Sequence, residues 1–136
     1  MLKDLGICFA CGKANPHGLR LDIRKTAEGV ELDYAVPERY CGWQDIVHGG
    51  IVAAILDELC AWACTAAGGN AVTAELTVRF RQPLRVGQRF HGTGRVNDER
   101  GKLTLAESRL TDESGMVIAE ATAKMMKVEA VVVAGV

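Results

Sequence analysis

The stretch that decides the fold is Val47-His48-Gly49-Gly50 with the apolar run after it, Ile51-Val52-Ala53-Ala54-Ile55-Leu56-Asp57-Glu58-Leu59-Cys60-Ala61-Trp62-Ala63-Cys64-Thr65-Ala66-Ala67. The run has no Pro and no internal Gly, its Ala and Leu residues favour a helix, and Gly68-Gly69 ends it. We therefore predict a helix over residues 51–67, roughly 25 Å long. Because this helix is apolar on almost every side, it belongs inside a domain.

Two adjacent acids, Asp57 and Glu58, are the only charges in this helix. A buried carboxylate is costly unless another group pairs with it or the protein uses it. Neighbouring helix positions point about 100° apart, so only one of the two can face a given site. Periodicity does not choose between them. From the residues alone, a structural acid and a catalytic acid are equally good interpretations.

Alternating apolar and polar residues predict strands on both sides of the helix. Residues 19–24 and 30–36 form a hairpin before it, and strands over 71–81, 89–96, 102–111 and 116–128 follow. In the first of these four, Thr73 and Glu75 lie together on the face opposite Val72 and Ala74. Within 102–111 the alternation changes phase between Leu105 and Leu110, which predicts a bulge or a strong twist.

Because no helices separate these strands, the sheet is antiparallel. The predicted class is α+β, a curved antiparallel sheet of five to six strands wrapped around one long central helix. The length of 136 residues fits one domain, 1–136. We predict an irregular lead-in over 1–18 and a tail over 129–136, where residues 131–133 could extend the last strand. A single covering helix leaves sheet edges open, so we expect a dimer or larger assembly.

Composition excludes several classes of protein. The net charge is −1 with no basic stripe, which argues against nucleic acid. The amino terminus does not read as a signal peptide, and the two acids make residues 51–67 a poor membrane span. Five Cys is an odd number, and two of them lie in the helix as small apolar residues. We expect a cytoplasmic protein with no disulfide framework.

A pair of cysteines in the lead-in, Cys8 and Cys11, raises the question of zinc, with His17 or Cys41 as further ligands. A structural zinc site uses four ligands, usually as two spaced pairs, and the sequence offers one pair. We therefore predict no metal and keep Cys8 and Cys11 as weak candidates.

These motifs, in this order, resemble the hotdog-fold acyl-CoA thioesterases, in particular their PaaI-like (phenylacetate-pathway) branch. The resemblance spans nearly the whole chain. The motifs that carry it are His48-Gly49-Gly50 before the helix, the pair Asp57-Glu58, the strand Ala71 to Phe80 with Pro83 after it, and the lead-in Cys8-Phe9-Ala10-Cys11-Gly12 with Asn15-Pro16-His17-Gly18-Leu19.

The resemblance implies hydrolysis of acyl-CoA to free acid and CoA, with no cofactor. It implies Asp57 as general base or nucleophile, the backbone N–H of Gly49 as the group that polarises the thioester carbonyl, and the Thr73 hydroxyl as a group that places water or the acid. His48 takes a positioning role. It also implies that two subunits build each site, in a homodimer or homotetramer.

The residues fit this chemistry, since thioester hydrolysis needs an activated oxygen and a donor for the oxyanion. Amides at a helix N-terminus are unpaired, and Gly there lets a substrate approach closely. We predict further substrate contacts at Val47, Gly50, Arg79 and Arg81, the arginines toward CoA phosphates. We also expect Glu58 to pair with one of these arginines or to lie at the dimer contact.

The chain departs from the family pattern before the His-Gly-Gly motif. Gly42 stands where relatives often carry an Asn, and Cys41 where some carry Gln. Two alternatives therefore remain beside hydrolysis: a hotdog protein that binds acyl-thioesters without turnover, and a small metal-binding interaction module built on Cys8 and Cys11. The sequence specifies neither the acyl group nor a dimer over a tetramer.

Overall fold

The structure, a computed structural model, describes residues 2–128 and 131–133. One α-helix, α1, spans Gly49–Ala66, and a short 3₁₀ helix, Glu38–Tyr40, precedes it. The strands are β1 (Leu2–Asp4), β2 (Arg24–Lys25), β3 (Val30–Ala35), β4 (Ala71–Phe80), β5 (Arg89–Arg100), β6 (Leu103–Asp112), β7 (Val117–Lys127) and β8 (Val131–Val133).

Strands β2 to β7 form one antiparallel sheet in the order β2-β3-β5-β6-β7-β4, and α1 packs against it. This arrangement confirms the predicted α+β architecture and the long central helix of the hotdog fold. Strand β4 follows the helix directly and lies at one edge of the sheet. The side chains at the start of β4 are therefore close to α1.

Helix α1 packs on the sheet through fully buried side chains that include Ile55, Leu56 and Leu59. The approach is closest at β5, where a Cβ on Gly94 would lie 2.5 Å from the carbonyl oxygen of Leu59. Only Gly at this position allows the helix backbone to lie this near the strand. By length and composition α1 could cross a membrane, but its place on the sheet is that of a core helix.

A buried hydroxyl also fixes the helix to the sheet. Ser108 on β6 donates a hydrogen bond of 2.8 Å to the carbonyl oxygen of Leu56, and the Cys60 thiol lies 3.4 Å from the same hydroxyl. Leu56 precedes Asp57, so this contact helps to set where the acid lies along the sheet.

The predicted strand over 19–24 is wrong for most of its length, since only Arg24–Lys25 pair with β3. Leu19 and Leu21 are buried as the alternation predicted. Their amides, however, donate to the carbonyls of Phe9 and Ala10 in the lead-in rather than to a sheet strand. The lead-in thus takes the hydrogen bonds that a hairpin would have used.

The ends of the chain also differ from the prediction. Leu2–Asp4 pairs in parallel with Val131–Val133 as a separate two-stranded sheet, so the lead-in is not wholly irregular. Residues 131–133 form a strand of their own and do not extend β7. The remainder of the predicted tail, 129–130 and 134–136, lies outside the described residues.

The expected phase change between Leu105 and Leu110 is wrong, and the irregularity lies at the end of β6, where its pairing with β7 shifts register between Leu110 and Thr111. Thr104, Ala106, Ser108 and Leu110 are all buried, which is an unbroken alternation. The buried face of β6 carries two polar residues, whereas the apolar Leu105 lies on the other face. Because burial usually selects apolar residues, this pattern produced the incorrect prediction of a phase change. Strand β5 also continues to Arg100, beyond residue 96, where we expected it to end. The pairing of β5 with β6 shifts register between Val96 and Asp98, so the strand continues past one additional residue.

Candidate active site

A β-bulge in β4 determines which side chains of this strand face the helix. The pairing of β4 with β7 shifts register between Thr73 and Glu75, so Ala74 is the additional residue. Thr73 pairs with Met125, which is fully buried on the helix side, whereas Glu75 pairs with Lys124, which is exposed. Thr73 therefore faces α1, and the predicted placement of Thr73 on one face with Glu75 is wrong.

The bulge places Thr73 against Asp57. The Thr73 hydroxyl donates to Oδ1 of Asp57 over 2.6 Å, a distance typical of a hydroxyl bonded to an ionised carboxylate. Among the described contacts Asp57 has no ion-pair partner, and Oδ2 accepts no hydrogen bond. One oxygen is thus held by the strand, and the other is available to a water or a substrate.

Glu58 lies on the other side of the helix. Its Oε2 accepts a hydrogen bond of 3.2 Å from Nε1 of Trp62 and lies 3.9 Å from the sulfur of Cys8. The expected pairing of Glu58 with an arginine is not seen in the described residues, since Arg81 pairs with Glu120 at 2.9 Å. Of the two adjacent acids, Asp57 is the one that accepts a hydrogen bond from β4 within the described part of the chain.

The helix N-terminus is capped by its own histidine. The amide of Gly50 donates to Nδ1 of His48 over 2.8 Å, and a Cβ on Gly50 would lie 3.0 Å from that nitrogen. Gly at position 50 therefore makes room for the cap, and its amide is engaged within the chain. No described hydrogen bond uses the amide of Gly49, the first residue of α1, which leaves a free donor at the positive end of the helix dipole.

A cavity of about 700 Å³ opens at this helix N-terminus. Its lining brings together four of the predicted site residues, which are Val47, His48, Gly49 and Arg81. Two aromatic residues that the sequence analysis did not assign also line it, Trp43 and Phe80, whose exposed fractions are 85% and 56%. Both are large apolar side chains exposed to solvent beside a charged residue, which is typical of a binding surface.

Two predicted substrate contacts do not line this cavity. Gly50 lies behind its histidine cap, and Arg79 lines a second cavity of about 670 Å³ with residues such as Thr122 that do not belong to the helix terminus. Asp57 and Thr73 also lie outside the lining of both cavities.

Gly49 and Asp57 are about 12 Å apart along the helix, at 1.5 Å per residue. In one chain, the free amide and the acid therefore cannot contact the same carbonyl group.

Gly42, where the sequence departs from the family pattern, lies next to the histidine. A Cβ at this position would lie 3.4 Å from both Cα and Cδ2 of His48. This is ordinary van der Waals contact, so a larger side chain fits in principle. Gly42 also lines the cavity and contributes no side chain to it.

The thiols of α1 do not compete with the carboxylate as nucleophiles. Burial raises the pKa of Cys60 to about 12, and burial also raises the pKa of Cys64. In the lead-in, burial and then the neighbouring Glu58 carboxylate raise the pKa of Cys11. Since the thiolate is the reactive form, these groups are unreactive near neutral pH.

Comparisons with known proteins identify the family of the chain. A model of the thioesterase superfamily matches residues 44–119, more than half of the chain. The solved structure of PaaI from the Escherichia coli phenylacetic acid degradation operon is 20% identical and has a TM-score of 0.74, with 83% of this chain and 82% of that chain covered. A phenylacetic acid degradation-related protein from Ralstonia eutropha is 27% identical with a TM-score of 0.70, covering 78% of this chain and 83% of that chain.

A third structural neighbour is a hypothetical thioesterase protein from Streptococcus pneumoniae, solved with coenzyme A. It is 16% identical with a TM-score of 0.74, covering 79% of this chain and 85% of that chain. Solved variants of that protein replace an aspartate and a threonine by alanine. No protein of curated function matches the chain.

Proposed function

Because the chain belongs to the thioesterase superfamily and is of its PaaI-like type, we propose that it hydrolyses acyl-CoA thioesters to a free acid and CoA. The observation that carries this proposal is the hydrogen bond from Thr73 to Asp57, which orients this acid from the edge strand β4. The neighbour solved with coenzyme A supports CoA as the carrier.

The proposed reaction needs only groups of this chain and water. Asp57, held at Oδ1 by Thr73, accepts a proton at Oδ2 from a water whose oxygen bonds to the thioester carbonyl carbon. The tetrahedral oxyanion then collapses, the carbon–sulfur bond breaks, and the CoA thiolate leaves and takes up a proton. The same geometry serves a direct attack by Oδ2, in which water later hydrolyses the anhydride.

The Gly49 amide is the proposed donor to the oxyanion. It is the free N–H at the positive end of α1, and it lines the cavity. His48 positions this terminus, because its Nδ1 accepts from Gly50 and fixes the first turn. With Nδ1 as acceptor, the neutral ring carries its proton on Nε2, which can donate within the cavity.

The separation of Gly49 and Asp57 supports a site shared between two copies of the chain. Strand β4 lies at the sheet edge, and its residues Val72 and Phe80 are exposed apolar side chains. We propose that two β4 strands pair about a two-fold axis. This pairing would set Asp57 of the partner subunit beside Gly49, and it would shield the exposed aromatic side chains from water.

Within this proposal, Trp43 and Val47 contact the acyl group, and Arg81 is the candidate for a CoA phosphate. Arg81 already pairs with Glu120, so a phosphate would have to share or displace that partner. The roles of Gly50 and Arg79 stay predictions, since neither faces this cavity as a free group. We also propose a cytoplasmic location, a reducing compartment in which cysteines stay free.

Thiol release from acyl-CoA esters tests the proposal. The panel should span short, medium, long and aromatic acyl groups, with wild type and Asp57→Asn compared at equal fold content by circular dichroism. We expect turnover by wild type and a loss on the order of 10²–10⁴-fold in Asp57→Asn. Substrate-level binding without turnover in wild type would instead favour the non-hydrolysing protein, for which the missing polar group at Gly42 is the observation.

Subunit mixing tests the shared site. Gly49→Pro removes the proposed N–H donor at a position where Pro suits a helix, and His48 already has φ −57° and ψ 133°, which a following Pro requires. We expect Asp57→Asn and Gly49→Pro each to be inactive, and their re-associated mixture to recover about one quarter of wild-type activity. Gly49→Ala keeps the donor and is the matched control. No recovery in verified mixed dimers would place each site within one chain.

A further inference from the structure

We propose that Cys8, Cys11 and Glu58 form a zinc-binding site that fastens the lead-in to α1. The ligand atoms of these three side chains all lie within 4.8 Å of one another, and the Cys8 sulfur is 3.9 Å from Oε2 of Glu58. In a tetrahedral zinc centre, with Zn–S of about 2.3 Å and Zn–O of about 2.0 Å, ligand atoms are about 3.5–3.8 Å apart. Small side-chain rotations bring the observed atoms to that spacing.

The backbone of the lead-in turns both thiols toward the helix. The amide of Gly12 donates to the carbonyl of Cys8 over 2.9 Å and closes a tight turn between the two cysteines. A Cβ on Gly12 would lie 2.3 Å from the Cys8 nitrogen, so the turn requires Gly directly after Cys11. Ala10, between the cysteines, is buried and accepts the amide of Leu21, which anchors the turn.

The third ligand comes from the helix and is already oriented. Nε1 of Trp62 donates to Oε2 of Glu58 over 3.2 Å, the kind of outer contact that orients carboxylate ligands of metals. Within residues 2–128, no Lys, Arg or His forms an ion pair with Glu58. The cluster therefore joins two thiols and a carboxylate without a protein cation, and a metal ion would supply that charge.

The donor set selects the metal. Two thiolates favour zinc over calcium or magnesium, which take oxygen ligands. Three protein ligands leave a fourth position for water or a small anion. The sequence predicted no metal because it shows one pair of cysteine ligands in the lead-in, whereas the third ligand, Glu58, lies 50 residues after Cys8. Such a site ties the lead-in to the residue next to Asp57.

The experiment uses the full chain, kept reduced and stripped of metal with a chelator. Zn²⁺ is titrated against a chromophoric competitor, and Co²⁺ serves as the probe for thiolate ligands through its near-ultraviolet charge-transfer band. We expect one ion per chain, a thiolate band with Co²⁺, and a melting temperature that rises by several degrees with zinc. Cys8→Ser and Cys11→Ser should each weaken binding at least tenfold, and so should Glu58→Gln.

Cys41→Ser is the matched control, since Cys41 is an exposed cysteine outside the cluster. It should bind zinc as wild type does, and circular dichroism should show every variant folded. Wild-type binding weaker than about 100 µM would overturn the proposal, because structural zinc binds far more tightly. Equal affinity in Glu58→Gln and wild type, or equal weakening in Cys41→Ser and Cys8→Ser, would also overturn it.

Discussion

The two sides of α1 present adjacent acids to different surroundings. Asp57 faces the edge strand β4, where one threonine hydroxyl holds one carboxylate oxygen and the other stays available. Glu58 faces the lead-in, where the indole of Trp62 and the thiol of Cys8 both contact one oxygen. The helix supplies the same functional group to both sides, and the neighbouring elements determine what each can do.

The environment of an acid, rather than its residue type, determines whether it is reactive or has a binding or structural role. The β4 side is open at a sheet edge, so a substrate or a second copy of the chain can reach Asp57. The lead-in side is closed by a turn that is hydrogen-bonded to the chain after it. We propose that the open side carries the reaction and that the closed side anchors the lead-in.

The largest expected effect separates the two acids directly. Asp57→Asn removes the proton acceptor, so hydrolysis should fall on the order of 10²–10⁴-fold. The fall in hydrolysis for Glu58→Gln should be at least about one hundredfold smaller than for Asp57→Asn, because the Glu58 side chain is held by Trp62 and not by β4. Steady-state kcat with the best acyl-CoA, measured at matched fold content, checks the difference. Equal losses in the two variants would show that both acids serve the reaction and would remove the distinction between the two sides.

The face of α1 that packs on the sheet should offer no nucleophile. With its pKa raised to about 12 by burial, Cys60 is about 10⁻⁴ thiolate at pH 8, and that fraction grows only as the pH rises toward the pKa. Alkylation by iodoacetamide, followed by mass spectrometry, should label the exposed Cys41 at least about a hundredfold faster than Cys60. Rapid labelling of native Cys60 would add a third candidate group to the helix.

The hydroxyl of Thr73 gives a smaller effect on activity. Thr73→Val keeps the shape but removes the hydrogen bond to Asp57, and kcat should fall by about tenfold to a hundredfold. Thr73→Ser keeps the donor and should retain most of the activity. Thr77→Val is the matched control on the same strand, since Thr77 pairs with the exposed Thr122 and does not face α1. A similar loss in both valine variants would assign the effect to β4 rather than to the hydroxyl.

The sequence predicted the helix and an antiparallel sheet of five to six strands, because apolar periodicity and glycine signals are local and strong. It did not predict that Thr73 turns toward the helix. That orientation depends on the bulge at Ala74, which is set by pairing with β7 some fifty residues later. An alternation of apolar and polar residues does not indicate where a bulge will add one residue to a strand.

Contacts between segments that are distant in sequence also could not be predicted. Nothing in residues 1–18 indicated that Cys8 would meet Glu58, since only the folded chain brings the lead-in across α1. The contact of Trp62 with Glu58 could be predicted from the sequence, because residues four apart share a helix face. The polar residues on the buried face of β6, Thr104 and Ser108, misled the prediction because burial usually selects apolar residues.

The smallest expected effect concerns the indole on the closed side. Trp62→Phe keeps an aromatic ring but removes the N–H that donates to Glu58, so the free energy of unfolding should fall by about 0.5–1.5 kcal/mol. Urea unfolding in the presence of a chelator measures this without any contribution from bound metal. In Glu58→Gln the amide oxygen can still accept from the indole, so adding Trp62→Phe to that variant should cost less than it costs in wild type, where the acceptor is charged. An equal cost in both backgrounds would show that the indole stabilises α1 by packing, and that Glu58 is positioned by the lead-in alone.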